Sequence, residues 1–207
     1  LLSEEELLEY RLEAHPERVD FGWLYVQRPK LLRKAYERFK SRGNESRGNE
    51  SSGNENSRTW NGDDRNCGDG VCESVEDNYK QFVQKEAWWL KDYALFMALK
   101  EEHGQKPWTE WEPGVRFRRP EALQAAEARL RDTMEYHYFL QYLFDIQWEQ
   151  LHAYASSKGI ALLGDVPIYV PMDSADVWAA PEHFQLDENR LPVVIAGCPP
   201  DAFSADG

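Results

Sequence analysis

Cysteine is scarce in this sequence of 207 residues, and its count of three is odd. Cys67 and Cys72 lie in a polar stretch and Cys198 stands far along the chain, so no secreted disulfide framework is predicted. A structural zinc site needs about four ligands at suitable spacing, which these residues do not supply. The scarcity of cysteine is typical of a reducing compartment, and we expect a cytoplasmic location.

Long apolar runs and an excess of positive charge are also missing. No run approaches the roughly 18 apolar residues that cross a bilayer. Lys and Arg number 24 against 37 Asp and Glu, which gives a formal net charge of −13. Nucleic acids and anionic membrane surfaces both attract basic proteins, so we expect neither as a partner.

Several catalytic motifs are absent from the sequence. The five histidines are scattered and form no HExxH pair, which disfavours a histidine-based metal site. Neither a P-loop, nor G-x-G-x-x-G, nor G-x-S-x-G occurs. Nothing therefore indicates a nucleotide-phosphate site, a dinucleotide site or an esterase.

Residues 1–40 predict helices. Ser3 and Glu6 have the spacing of a capping box before the first one, and Pro29 suits the first helical position of the second. Apolar residues of the second helix recur on one face, which predicts that this face is buried: Leu31, Leu32, Ala35, Tyr36 and Phe39.

A polar insertion is predicted at 41–78. The triplet Gly-Asn-Glu recurs there with a five-residue period, and Trp60, Val71 and Val75 are the only apolar residues besides cysteine. So little apolar surface does not offset the entropy that ordering would cost. We interpret the segment as a disordered, low-complexity insertion in a surface loop.

Residues 79–158 predict a helical region. Gly104 is expected to end one helix, and Gly159 to end a long helix that starts at Pro120. Aromatic residues cluster along this long helix. We interpret them as core packing, with ligand stacking as the alternative: Tyr136, Tyr138, Phe139, Tyr142, Phe144 and Trp148.

The pattern changes in the last region, 159–207. The run IALLGD at 160–165 is typical of a fully buried strand, and HFQLDENRLPVVIAG at 183–197 predicts two short strands around a turn. A helix followed by a buried strand is one step of an α/β protein, whose chemistry lies where strands end. Asp165 lies at such an end, where it is either a site carboxylate or a turn residue.

Three further aspartates of this region, Asp173, Asp176 and Asp201, are weighed as site residues. Sugar chemistry uses carboxylate pairs about 5 to 9.5 Å apart, a distance that spacing along the chain does not give. Asp173 or Ser174 is interpreted as the N-cap of a short helix, and Asp176 as a first-turn residue. The loop GCPPDAF presents Asp201 and Phe203 after two rigid prolines, which suits either a sugar face or a plain turn.

Four stretches occur in order: VDFGWLY at 19–25, QKEAWWLKDYALFMALK at 84–100, GDVPIYVPMDSADVWA at 164–179 and VVIAGCPPDAFSADG at 193–207. Together they resemble the 4-α-glucanotransferases, or amylomaltases, of glycoside hydrolase family 77. The resemblance implies an α/β fold. It would be a partial (β/α)8 TIM barrel with helical insertions between its strands, truncated at the C-terminal end of this chain.

The resemblance also implies an activity, the transfer of α-1,4-glucan segments between malto-oligosaccharides by a retaining double displacement, without a metal or an organic cofactor. Substrate-binding roles are implied by position: Asp165 in the donor site, Asp201, Phe203 and Ser204 in a loop on the acceptor side, and Tyr25 in an outer groove.

The catalytic acids of that family are expected downstream of Gly207, and none is expected in this chain. The resemblance therefore implies a fragment that is inactive alone and unstable, because a severed barrel exposes strand edges. Two alternatives stay open. One is an α-glucan hydrolase of the α-amylase type, which shares the covalent intermediate. The other is a non-catalytic glucan-binding module.

Overall fold

A computed structural model describes residues 1–9, 18–48, 75–166, 168–194, 197, 199–200 and 202. The chain divides into two compact units, Leu1–Phe82 and Val83–Gly207. Helices dominate the described residues of both units, which contain no strand. Within the same ranges, every helix is too short or too polar to cross a membrane. The predicted disordered insertion at 41–78 has helical ends, at 41–48 and 75–78, and its residues 49–74 lie outside the described residues.

The first unit contains helices α1 (Glu4–Glu9) and α2 (Phe21–Gly48) and most of α3 (Val75–Lys85). The predicted capping box is confirmed, because the Ser3 amide donates to the Glu6 carboxylate at 2.9 Å and the Glu6 amide to Ser3 Oγ at 3.3 Å. The predicted apolar face is also confirmed, since Ala35 and Tyr36 are buried.

The predicted helix start at Pro29 is wrong. Pro29 lies inside α2, because a stronger start signal precedes it. Asp20 Oδ1 accepts a hydrogen bond from the Trp23 amide at 2.8 Å, which is the bond made by an N-cap residue. Proline removes one backbone donor, and the helix continues through it.

Ion pairs join α1 to α2. Arg38 of α2 donates to the carboxylate of Glu6, and Lys34 Nζ lies 2.7 Å from Glu6 Oε1. These hydrogen bonds, above all those from Arg38, hold the pKa of Glu6 well below its usual range. Glu6 and Arg38 are 32 positions apart along the chain, and their contact fixes the short helix α1 on α2.

The second unit is built around α4 (Ala87–Glu102), which packs against α6 (Pro120–Arg129), α7 (Arg131–Ser157) and α8 (Ala175–Ala179). The short helix α5 (Pro113–Arg116) packs on α6, and Trp108–Glu110 and Pro181–His183 form 3₁₀ turns. The core combines apolar residues of these elements: Leu95, Phe96, Leu99, Trp108, Trp111, Val115, Met134, Val177 and Trp178 are among them.

The predicted helix ends at Gly104 and Gly159 are confirmed. Gly104 has φ +61° and Gly159 has φ +71°, values that a residue without Cβ adopts without strain. The single helix predicted from Pro120 is wrong, because the chain bends at Leu130 between α6 and α7. The bend places Leu130 against the core, so packing overrides the uninterrupted helical pattern.

The aromatic cluster of α7 is only partly core. Tyr136, Phe139 and Tyr142 are buried, which confirms the packing interpretation for this half of the helix. Phe144 and Trp148 are 64% and 47% exposed, so the interpretation is wrong for them. Their rings stack on each other instead, with centroids 6.5 Å apart.

The buried strand predicted at 160–165 is not formed. These residues have no regular secondary structure and no ladder partner, and the side chain of Leu163 is 99% exposed. A strand satisfies its backbone only through a neighbouring strand, and the described residues contain none. Apolar composition alone therefore did not bury this segment.

The hairpin predicted after residue 183 is reduced to a single antiparallel bridge between Leu186 and Pro192. The turn itself is confirmed: Asp187 Oδ1 accepts hydrogen bonds from the amides of Asn189 and Leu191, both at 2.8 Å. Pro192 has no amide hydrogen to donate to a ladder, which limits the pairing.

Candidate functional site

A buried lysine fixes the segment that carries the sequence MDSADVW. Lys100 of α4 is 8% exposed, and its Nζ donates to Asp173 Oδ2 at 2.7 Å and to the carbonyls of Gln105 and Lys106 at 2.9 and 3.0 Å. Asp173 Oδ1 accepts from the Trp108 amide at 3.2 Å. A buried ammonium without partners would cost several kcal/mol, so these bonds hold three parts of the chain together.

The short helix α8 follows directly after this contact. Ser174 is its N-cap, since Ser174 Oγ accepts from the Val177 amide at 3.3 Å. Asp173 accepts hydrogen bonds from Lys100 and Trp108 and is therefore not the cap. Asp176 is the first-turn acid, as predicted. Trp178 anchors the helix: it is 1% exposed, and its Nε1 donates to the carbonyl of Val115 at 3.0 Å.

Arg118 connects Trp178 to a carboxylate on α4. Its guanidinium carbon lies 4.3 Å from the centroid of the Trp178 ring, and Nη2 donates to Asp92 Oδ1 at 2.7 Å. The backbone of Arg118 has φ +54°, which costs roughly 1–3 kcal/mol in a residue with a side chain. The surrounding contacts hold this strained residue, and through it they hold Asp92.

A cavity of about 560 Å³ opens between α4 and α8. This volume is within the roughly 300–1,000 Å³ that small-molecule sites occupy. One set of lining residues is aromatic, and the other is titratable: Trp88, Trp89, Tyr93 and Phe184 form the first set, and Asp92, Asp176 and His183 the second.

The aromatic residues differ in what their polar atoms already do. Trp89 Nε1 donates to Glu86 Oε2 at 2.7 Å, which lowers the pKa of Glu86. The Tyr93 hydroxyl accepts from Gln141 at 3.2 Å, and burial raises the pKa of Tyr93. Trp88 also hydrogen-bonds Glu86, as a smaller cause of the same lowered pKa, but its side chain is 82% exposed. All three side chains thus have a partner in the protein, and Trp88 is the one whose ring is largely open to a ligand.

This arrangement can bind a polyhydroxylated molecule. Carboxylates accept hydrogen bonds from hydroxyl groups, and aromatic faces cover apolar C–H surfaces. In the part of the chain that the structure describes, no three His, Cys, Asp or Glu residues converge as metal ligands would.

The residues predicted as substrate contacts fall into three groups. Asp165 is exposed in the irregular segment 160–166 of the second unit. Tyr25 is 77% exposed on α2 of the first unit. Asp201, Phe203 and Ser204 lie outside the described residues.

One contact joins two of the motifs on which the resemblance rests. The Tyr169 hydroxyl donates to the carbonyl of Gly197 at 3.3 Å. Tyr169 belongs to GDVPIYV and Gly197 to the start of GCPPDAF. The segment that carries Asp165 and the loop that contains Asp201 are therefore connected through their flanking residues.

The sequence profile of glycoside hydrolase family 77, described as 4-alpha-glucanotransferase, matches residues 1–207. The chain belongs to this 4-alpha-glucanotransferase family. The 4-alpha-glucanotransferase of Thermus thermophilus is 40% identical over 190 residues, and that of Clostridium butyricum is 33% identical over 208 residues. These alignments cover 92% and 100% of the chain.

A solved structure is similar to this chain. The structure is the amylomaltase from Streptococcus agalactiae in complex with acarbose, with a TM-score of 0.76 and 34% identity over 100% of this chain. The chain covers 36% of that protein and 32% of the Thermus relative. It thus spans about a third of the length of these family members.

Sequence reasoning missed the cavity. Trp88 and Asp92 were not singled out as site residues, and Asp176 was interpreted only as a first-turn acid. One signal was available in the adjacent pair Trp88-Trp89. Neighbouring residues on a helix point about 100° apart, so a narrow buried stripe leaves one of two adjacent tryptophans exposed.

Proposed function

We propose that this chain is a segment of a 4-α-glucanotransferase, which moves α-1,4-glucan segments between malto-oligosaccharides by a retaining double displacement. The observation that carries the proposal is the family match over residues 1–207. Supporting it, the relatives from Thermus thermophilus and Clostridium butyricum are both 4-alpha-glucanotransferases. A cytoplasmic location is part of the proposal and rests on the scarcity of cysteine.

The proposed architecture is a (β/α)8 barrel interrupted by helical insertions. Residues 1–40 and 79–158 supply insertion helices, 41–78 is a low-complexity insertion, and 159–207 contributes barrel strand and active-site loop. The likeness to the Streptococcus agalactiae amylomaltase supports this division. In a barrel, residues 160–165 would pair with strands from outside residues 1–207.

The proposed substrate contacts are Asp165, Asp201, Phe203, Ser204 and Tyr25. Asp165 would orient groups in the donor site, and the loop with Asp201 would lie on the acceptor side. The hydrogen bond from Tyr169 to Gly197 supports the pairing of these two segments. The carboxylate nucleophile and the acid/base of the retaining mechanism would come from sequence outside residues 1–207.

The activity is tested with the complete reading frame that contains residues 1–207. Incubation with maltotriose should release glucose and give a ladder of longer oligomers. Shorter products alone would replace the proposal with the hydrolase, because water instead of a sugar hydroxyl would resolve the intermediate. Retained binding without turnover would replace it with the glucan-binding module.

A single substitution tests the role of Asp165. Asp165→Asn removes a charge that would orient the donor, and we expect a loss of at least tenfold in kcat/KM, since such charged hydrogen bonds contribute about 1.5–3 kcal/mol. Asp145→Asn makes the same chemical change on α7 and should leave kcat/KM unchanged. Equal rates for both variants would remove Asp165 from the site.

A further inference from the structure

Two of the proposed substrate contacts, Asp165 and Tyr25, lie within the described residues, and neither lines the cavity between α4 and α8. We propose that it is an additional binding site for an α-glucan chain. In this site Trp88 is the platform for a glucosyl ring, and Asp92 and Asp176 accept hydrogen bonds from its hydroxyls. The identity of the sugar rests on the proposed function, and the position of the site rests on the cavity itself.

Trp88 has the exposure that a sugar platform needs. It is 82% exposed, whereas Leu90 in the same helix is fully buried. The ring of Trp89 meets that of Trp88 edge-on, with centroids 6.4 Å apart and an interplanar angle of 71°, so Trp89 is not stacked on the indole face. An exposed aromatic face at the rim of a concave site is typical of a ligand-binding groove.

The carboxylates are held for hydrogen bonding in different ways. Arg118 Nη2 fixes Asp92 Oδ1 at 2.7 Å, and Arg118 is itself held over the Trp178 ring. Asp176 is exposed in the first turn of α8, whose start is fixed by the Ser174 cap. Preorganised acceptors lose little entropy when they receive a ligand hydroxyl.

The chemistry of the lining selects among classes of ligand. An anionic ligand would be repelled by Asp176, whereas the charge of Asp92 is already paired with Arg118. A purely aliphatic ligand would desolvate the Asp176 carboxylate without pairing it, which is costly. A glucan chain offers hydroxyl donors to the carboxylates and apolar C–H surface to the aromatic rings, so it satisfies both sets of lining residues.

The test compares two tryptophan substitutions in the complete reading frame that contains residues 1–207. Trp88→Ala removes the platform. Trp148→Ala is the matched control, because Trp148 is also exposed, at 47%, but does not line the cavity. The measurement is the Kd for a non-hydrolysable, sulfur-linked malto-oligosaccharide by calorimetry, with melting temperatures to verify folding.

We expect Trp88→Ala to weaken glucan binding by roughly three- to tenfold, the equivalent of an aromatic contact. Asp176→Asn should weaken it roughly threefold, because a charged acceptor becomes a neutral one. Trp148→Ala should change the Kd less than twofold. Equal Kd values for the Trp88 and Trp148 variants would overturn the site.

Glucose release from maltotriose by the unsubstituted protein separates this proposal from the transferase activity. Release together with an unchanged Kd in Trp88→Ala overturns the cavity site and leaves the activity in place. No release together with a weakened Kd in Trp88→Ala supports the cavity site and overturns the activity.

Discussion

Two parts of the second unit are both rich in apolar side chains, and they use them differently. The core region comprises residues 90–118 and 172–186, where Leu99 and Trp178 are almost completely buried. The open region comprises residues 144–170, where Phe144, Leu163 and Ile168 are 64%, 99% and 87% exposed. Hydrophobicity by itself does not account for the difference.

The two regions differ in how their backbone and polar groups find partners. Helices of the core region satisfy their own backbone, and buried polar atoms such as Lys100 Nζ and Trp108 Nε1 bond to nearby carbonyls. The irregular residues 160–165 of the open region would need a neighbouring strand to pair their backbone groups. Burial therefore depends on whether the described chain supplies the partners, and the predictions below test that conclusion.

The largest expected effect comes from a matched pair of tryptophans. Trp178→Ala in the core region should lower the free energy of unfolding by about 3–5 kcal/mol, because it leaves a cavity and removes one of the two hydrogen bonds that the Val115 carbonyl accepts. Trp148→Ala in the open region should cost less than about 1 kcal/mol. Urea unfolding of the chain measures both, and similar losses would remove the distinction between the regions.

The next largest effect concerns the polar contact of the core region. Lys100→Met keeps the aliphatic stem but removes a donor from Asp173 Oδ2 and from the carbonyls of Gln105 and Lys106. Asp173 keeps its bond from the Trp108 amide, and the Lys106 carbonyl keeps one from Trp111 Nε1. The half-exposed Asp173 remains partly solvated, so we expect a loss of about 2–3 kcal/mol in the free energy of unfolding.

Lys91→Met is the control for this substitution. Lys91 pairs with Glu127 at 2.9 Å on the surface, where ion pairs contribute about 0.5 kcal/mol. If Lys91→Met destabilised the chain as much as Lys100→Met, the buried position of Lys100 would have no special role.

A third prediction concerns the edge of the core region. Tyr138 packs against the core, and burial, followed by nearby acidic groups, raises its pKa from 10.0 to about 12. The neutral Tyr138 hydroxyl therefore contributes fully to the free energy of unfolding below pH 10, and this contribution is lost as the pH rises through about 12. Solvent screens this half-buried group, so we expect a loss of about 1 kcal/mol.

Tyr138→Phe provides the measurement for this prediction. The variant lacks the ionisable hydroxyl, so its unfolding free energy should fall less steeply between pH 10 and 12 than that of the unsubstituted chain. Parallel alkaline limbs for the two proteins would show that Tyr138 does not couple to folding.

The sequence predicted features whose signals are local. The capping box of Ser3 and Glu6 and the helix ends at Gly104 and Gly159 depend on residues only a few positions apart. The bend at Leu130 has no local glycine or proline signal. Leu130 packs against the core, so the bend depends on tertiary contacts. Composition predicts the strand at 160–165, but a strand forms only with a partner strand. That partner would come from distant residues of this chain or from sequence outside residues 1–207.

The candidate site divides in the same way. Asp165 and the GCPPDAF loop could be singled out because they belong to contiguous motifs. The cavity joins Trp88 on α4 to Asp176 on α8, and it depends on the contact between Lys100 and Asp173, which are 73 positions apart. Spacing along the chain does not predict a contact between residues so far apart.

The smallest expected effect lies in the open region. Leu163→Ala should change the unfolding free energy of the 207-residue chain by less than about 0.5 kcal/mol, because the side chain is already 99% exposed. Leu99→Ala, at a fully buried position, is the matched control and should cost about 2–5 kcal/mol.

The same two variants in the complete reading frame decide why the open region is open. If residues 160–165 become a barrel strand there, Leu163→Ala should also cost about 2–5 kcal/mol, while the cost of Leu99→Ala stays as it was. The change would mean that Leu163 gains a partner from outside residues 1–207. If Leu163→Ala remained neutral in the longer protein, this segment would be solvent-facing in its own right, and the proposed barrel strand would have to be placed elsewhere.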